Sequence, residues 1–321
     1  MSVATVDGGG KKVSEPVVAS QRRAAVRGPA LRRQGGLRAA ILLLPSALLV
    51  LLFRYYPAVR SIVGSFTEWN GFSAPTFIGL RNYATFLDSA SFLPQLRNLA
   101  ILFGGGMILH LVAPFLAATA IHALRPMRRA YGFAKFAIVI PMVIPGIILI
   151  NLWAFLLNPL SGPVDALLTR LGLGSVQWFS NPHTALGGIL AIGFPWVSGL
   201  GFLVFLAGIQ NIPTSVIEAA TLDGARGFQR MLHVELPLLI PQIRLVVILN
   251  AIFEIQNFIP VLLLTNGGPG NATLVPGLQM YNSAFAGSQY GYGMAIGTLL
   301  FCTMLTFTFV VLKTVRSRVE A

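Results

Sequence analysis

Glu254 stands in the apolar run LNAIFEIQNFIPV, a carboxylate where hydrocarbon side chains surround it on both sides. An ionisable group at the centre of a membrane helix costs about 2.5–3.5 kcal/mol on insertion scales, so it marks a solute pathway or a paired interface. Asn250, Glu254 and Asn257 follow at i, i+4 and i+7, one face of a helix, while Gln256 stands off that face. Carboxylates and amides are the hydrogen-bonding partners of hydroxyl-rich solutes. A polar stripe of this kind reads as the wall of a hydrated path. The competing reading is an interface carboxylate that pairs with a cation on a partner subunit. Asn151, Trp153, Trp196 and Ser198 are weaker pathway candidates, because isolated aromatics in such segments are more often packing groups.

A second polar concentration is EAATLDGARGFQRMLHVELP, which brings Glu218, Asp223, Arg226, Arg230 and Glu235 together directly after a charge-free run from Ala185 to Ile209. Pro213 and Thr214 suit a helix start, with Thr214 as a cap. Asp223-Gly224 is a turn signal, and Gly224 can take positive φ. A second short helix is expected over 225–233, with Phe228, Met231 and Leu232 on its apolar side. Pro237 and Pro241 punctuate the entry to the next apolar run. A loop of this composition can also simply rest on lipid headgroups.

The elements that hold these residues can be read from composition. The 321-residue chain is 55% hydrophobic and 10% charged, against roughly 25% charge in soluble domains, and its mean hydropathy is +0.74. That excludes a soluble enzyme. Apolar runs reach the roughly 20 residues that cross ~30 Å of hydrocarbon. Spans are expected at 38–63, 97–123, 133–157, 185–209, 242–265 and 292–314, with kinks at Pro114, Pro141, Pro145, Pro195 and Pro260. The fold class is an all-α membrane protein of about six transmembrane helices.

The net charge of +13 sits in tails and loops rather than beside aromatics, so no nucleic-acid partner is expected. Lys11, Lys12, Arg22, Arg23, Arg27, Arg32, Arg33 and Arg38 crowd the N-terminal tail; Arg125, Arg128, Arg129, Lys135, Arg226, Arg230, Lys313, Arg316 and Arg318 fall on the same side of the expected spans. The other side holds Arg81 and Arg170, with Arg54, Arg60 and Arg97 near its boundary. Positive charge marks the cytoplasmic side, so both termini are expected inside. Residues 1–37 read as a disordered basic tail, 38–316 as the membrane domain with its polar loop at 210–241, and 317–321 as a cytoplasmic C-terminus. A cleaved signal peptide is not expected. Cys302 is the only cysteine, and His110, His122, His183 and His233 show no ligand spacing, so they read as packing or interfacial groups and no metal site is expected.

The polar loop resembles the EAA loop of bacterial ABC importer permeases: Glu218-Ala219-Ala220, Gly224, then Val234, Leu236 and Pro237, with Val234 where that pattern has isoleucine. "YYPAVRSIVGSFTEWNGF" (Tyr55–Phe72), "FIGLRNYATFL" (Phe77–Leu87) and "LLLTNGGPGNAT" (Leu262–Thr273) are similar to segments of the carbohydrate-uptake, maltose-type subfamily. The resemblance implies a permease subunit in the bacterial inner membrane, with the loop between the fourth and fifth spans docking on a separate ATPase. Glu218, Ala219, Ala220, Asp223, Gly224, Leu236 and Pro237 would form that coupling element; Asn250, Glu254, Gln256 and Asn257 would lie on the solute pathway. It further implies a second permease subunit, a heterodimer being favoured, two ATPase copies that bind ATP and Mg, and an extracytoplasmic solute-binding protein docking near Trp69–Asn70 and Asn266–Asn271. The chain itself has no phosphate-binding loop, since GGGKK at Gly8–Lys12 fails the spacing, and no cofactor of its own is expected. A different class, a stand-alone carrier driven by a proton or sodium gradient through Glu254, accounts for that residue but not for the loop. A membrane-embedded enzyme finds no acidic pair or nucleophile–base set.

Overall fold

The computed structural model describes residues 41–195 and 198–314; the expected basic tail, Trp196, Arg316 and Arg318 lie outside them. The chain divides into two compact units, up to Pro57 and from Ala58 onward. In the first, every described side chain is exposed, as an apolar helix with lipid for its surroundings requires.

Among the described residues four helices are long and apolar enough to cross a membrane: α1 (Ile41–Gly64), α3 (Phe92–Ala123), the pair spanning Ile240–Leu264, and Tyr290–Thr314. Between α1 and α3 lie a two-residue hairpin, β1 (Thr67–Glu68) against β2 (Thr76–Phe77), antiparallel with Thr67 opposite Phe77, and α2 (Arg81–Leu87). The side-chain amide of Asn82 holds this hairpin by donating to the carbonyls of Ser65 and Thr67, both at 2.9 Å.

Two expected spans are broken. The segment 133–157 divides into α4 (Arg128–Val139), which tightens to a 3₁₀ turn at Ile140–Val143, and α5 (Gly146–Leu156), bent by 101°. Pro145 is the cause: a residue before proline is pushed out of the helical region, and Ile144 is extended at ψ 126°. After α6 (Pro163–Arg170), the segment 185–209 divides into α7 (Ala185–Leu190) and α8 (Gly199–Gln210), with turns at 191–195 between them. Ser198, a pathway candidate by sequence, caps α8 instead, its Oγ accepting from the Gly201 N–H at 3.2 Å.

α9 (Thr214–Leu222) leaves α8 at 72°. α10 (Gly227–Arg230) runs on through a π turn at Met231–Glu235 and a last turn at Leu236–Leu238. Pro237 therefore sits inside a continuing helix rather than ending it. The wide turn before it accommodates the missing N–H that would otherwise break the ladder. α11 (Ile240–Gln256), α12 (Ile259–Leu264), α13 (Pro276–Tyr281) and α14 (Tyr290–Thr314) complete the described chain.

α3 is the hub. Near its C-terminal end Ala118 and Ile121 pack with Phe202, Phe205 and Leu206 of α8, with Leu239 and with Val246 of α11. Near its other end Leu102 meets Ile189, Val261, Leu274 and Leu278. Asn98, buried on α3, fixes the loop after α12 by donating from Nδ2 to the carbonyls of Asn271 (3.1 Å) and Leu274 (2.9 Å). Removing such a group strands a buried acceptor, which costs about 1–3 kcal/mol. Asn98→Ala is expected to lower the thermal unfolding temperature of the detergent-solubilised protein; an unchanged temperature would take the tether out of the fold's support.

Candidate functional site

The carboxylate of Glu254 is 8% exposed and faces α3. There is room for it because residue 106 is glycine. A Cβ at Gly106 would stand 2.5 Å from the Glu254 carboxyl carbon and 2.6 Å from each oxygen, closer than real contacts allow. One turn further along α3, His110 brings Nδ1 to 2.6 Å from Glu254 Oε1, and the imidazole sits edge-on to Phe253 with centroids 6.4 Å apart. The two atoms touch without hydrogen-bond alignment, so this is a contact of charge and dipole rather than a directed bond.

These groups line a cavity of about 380 Å³ between α3, α5, α7 and the α11–α12 junction. Glu254, His110 and Asn257 are its polar members; the rest is backbone at Gly106 and Gly146 and apolar side chains such as Leu102, Ile150 and Pro260. Its volume falls within the range of small-molecule sites, about 300–1,000 Å³.

The sequence-derived stripe is only partly assembled there. Glu254 and Asn257 reach the cavity. Asn250 is engaged elsewhere, donating from Nδ2 to the His110 carbonyl at 3.0 Å, which ties α11 to α3. Gln256 points to α14, with Nε2 3.0 Å from the Met304 sulfur. Of the weaker candidates, Asn151 donates to the Ile147 carbonyl within its own helix, and Trp153 lines a separate apolar hollow of about 300 Å³ beside Leu109 and Phe194. Sequence reasoning singles out neither His110 nor Gly106 for this site. Their i, i+4 spacing in GGGMILH is the available signal, and it means little until Glu254 is known to lie opposite.

The polar loop is built as a projecting tip. α9 begins at Thr214, but the hydroxyl expected as its cap makes no capping bond; Pro213 occupies the cap position and starts the helix through its fixed φ. The other end is tightly made. Gly224 has φ +85°, its N–H donates to the Thr221 carbonyl at 3.1 Å, and the Ala225 N–H donates to the Ala220 carbonyl at 2.9 Å. Those two bonds with a left-handed residue between them are the Schellman closure, which favours glycine at that point. Glu218, Ala219, Asp223 and Gly224 are exposed, while Ala220 is buried. Leu222 is 89% exposed and joins Glu218 on one face at i, i+4, a partner that the motif alone does not reveal. Further along the loop, buried Glu235 accepts from Arg230 Nε at 2.9 Å, an i, i+5 pair that a π turn brings into line. Leu236 is half-buried and Pro237 exposed.

The loops around Trp69–Asn70 and Asn266–Asn271 are preformed. Asn70 Oδ1 accepts from the Phe72 and Ser73 N–H groups at 3.0 and 2.9 Å, and Trp69 packs 5.5 Å from Tyr290. Trp69 and Asn70 border a polar hollow of about 650 Å³ with Glu68, Arg81 and Gln289. Asn266 and Asn271 both take positive φ, and the buried Thr273 hydroxyl bridges Thr265 and the Gly268 carbonyl.

Residues 110–321, from His110 through both α9 and the α11–α12 junction, match the model of a family described as binding-protein-dependent transport system inner membrane component. A probable ABC transporter permease protein of Pyrococcus horikoshii is 32% identical over 278 residues, covering 84% of this chain and 93% of that one. A diacetylchitobiose uptake system permease protein of Streptomyces coelicolor is 32% identical over 279 residues, covering 84% and 79%. The solved structure of a bacterial alginate ABC transporter in complex with an alginate pentasaccharide-bound periplasmic protein contains a chain that superposes with a TM-score of 0.74, over 88% of this chain and 94% of that one, at 21% identity; that likeness is one of fold.

Proposed function

Given that the chain belongs to the family of binding-protein-dependent transport system inner membrane components, we propose that it forms half of the path by which a sugar or oligosaccharide crosses a bacterial inner membrane. It is a permease subunit of an ABC importer, a multi-pass transport component and not an enzyme. Both termini and the 210–241 loop face the cytoplasm, with the loop between the fourth and fifth spans. There α9 docks on a separate ATPase, two copies of which bind ATP and Mg. A second, similar permease chain completes the path, and a heterodimer is favoured over a homodimer. A solute-binding protein docks outside on the loops around Trp69–Asn70 and Asn266–Asn271. The sugar class is supported by the diacetylchitobiose named for the Streptomyces coelicolor relative.

The observation that carries this reading is the tip of α9. An exposed carboxylate, an exposed alanine and an almost fully exposed leucine on a helix closed by a Gly224 turn are a surface without a partner among the described residues. Glu218 would pair with a cation of the ATPase, Leu222 would enter an apolar recess, and Ala219 would allow close approach. Closure of the ATPase dimer on ATP would then move α9, with it α8 across their bend, and through Phe202 and Phe205 the Ala118 and Ile121 side of α3. Glu254 and Asn257 would meet the solute in the cavity. A carrier driven by an ion gradient through Glu254 is not favoured, since it leaves the α9 tip idle.

Mild-detergent purification of the C-terminally tagged chain from its own membranes tests the assignment. The expected result is a complex with a second permease and an ATPase bearing a phosphate-binding loop, whose hydrolysis rises when binding protein and sugar are added. A chain that purifies alone, with uptake following a proton or sodium gradient, would overturn it.

A further inference from the structure

The cavity beside Glu254 is lined by one carboxylate and by no lysine or arginine. Among the described residues that line it, only Glu254 and His110 carry ionisable side chains. With Glu254 ionised, the cavity carries one negative charge beside a neutral His110 and none beside a charged one. Neither state is positive. Arg244, on the same helix as Glu254, lies ten residues away, about 15 Å by helical rise, and is not among the lining groups. The surrounding wall is apolar, so little else screens the carboxylate.

We infer that this site selects by charge: it admits an uncharged, hydroxyl-bearing solute and disfavours an anionic one such as a uronate or a phosphorylated sugar. A hydroxyl can donate to the free oxygen of Glu254 or to the Asn257 carbonyl, and the aliphatic wall suits the C–H face of a sugar ring. An anion would meet the Glu254 carboxylate with no lysine or arginine in the lining to offset it. The specificity residue is Glu254. Gly106 makes the room for it, and His110 sets how much of its charge is felt. This inference rests on the reading that the cavity lies on the solute path.

Thiol-reactive probes measure such a charge without knowledge of the solute. Ile147 on α5 lines the cavity. Ile147→Cys is made in a Cys302→Ser background, since Cys302 is the chain's only and an exposed thiol. The assembled importer is treated with cationic, neutral and anionic methanethiosulfonates, each rate divided by its rate with a free thiol. The cationic reagent is expected to react about ten-fold faster than the anionic one, or more. Adding Glu254→Gln should bring that ratio close to one while leaving the neutral reagent's rate within about two-fold. Equal normalised rates in the parent protein would overturn charge selection and leave the path in place. Failure of the neutral reagent to react at all would mean the cavity is dry, which removes the path and the inference together.

Discussion

Gly224→Val is expected to lower sugar-stimulated ATPase activity and uptake by about ten-fold or more, while the chain still inserts and assembles with its partner permease. The loss comes from the backbone. Beyond its chain neighbours, no atom of the described residues lies within 4 Å of where a Cβ would stand at residue 224, so there is space for a side chain. The difficulty is φ +85°. A left-handed conformation costs an L-residue roughly 1–2 kcal/mol, and a β-branched one more, which shifts the closed turn's population about ten-fold. Opening the turn frees the Ala220 and Thr221 carbonyls and lets the last turn of α9 fray, with Glu218 and Leu222 losing their common face. Gly224→Asn should be milder, because asparagine enters the left-handed region more readily. The graded order Gly, Asn, Ala, Val in coupled hydrolysis, read against unchanged membrane insertion, is the check. A flat series would show that turn closure is not what the ATPase reads.

The second large effect belongs to Gly106. In a helix interior, glycine to alanine ordinarily stabilises by about 1 kcal/mol. Here the added methyl meets the Glu254 carboxyl group at 2.5–2.6 Å, so either the carboxylate swings out of the cavity or α3 and α11 separate. Gly106→Ala is therefore expected to destabilise the detergent-solubilised protein and reduce uptake about ten-fold or more, as displacement by even an ångström can in a positioned site. Glu254→Ala opens the space again. The double variant Gly106→Ala/Glu254→Ala should recover stability but not uptake, with an interaction energy of about 0.5–3 kcal/mol between the two positions in unfolding. Strict additivity in unfolding would mean the carboxylate does not rest against residue 106.

What the sequence discloses and what it withholds divide along physical lines. Hydropathy finds the long helices because a run such as Phe92–Ala123 needs no neighbour to declare it apolar. The α9 turn is legible at Gly224 because a left-handed position restricts residue choice locally. The breaks after Val143 and Leu190 read in the sequence only as kinks. Proline announces that a helix is disturbed, but whether it bends or stops depends on what packs beyond it. His110 escapes notice because its meaning lies in Glu254, far along the chain, and no spacing rule joins the two. Helical period places Asn250 on the pathway, yet its amide is taken by a carbonyl on α3. Periodicity assigns a face and leaves open which neighbour that face meets.

At 32 residues α3 is about 48 Å long, well beyond the ~30 Å of hydrocarbon it has to cross. One end holds the Asn271 and Leu274 carbonyls through Asn98, and the other shares its packing with α8 and with Leu239, at the end of the polar loop. A single element is thus held near both of its own ends, and linkage becomes reciprocal. If the nucleotide state of the ATPase alters how tightly the outer loops hold the binding protein, then the loaded binding protein must alter nucleotide affinity by the same factor. Receptor-driven tightening of ATP and ATP-driven release of the receptor would be one free energy, read from opposite sides.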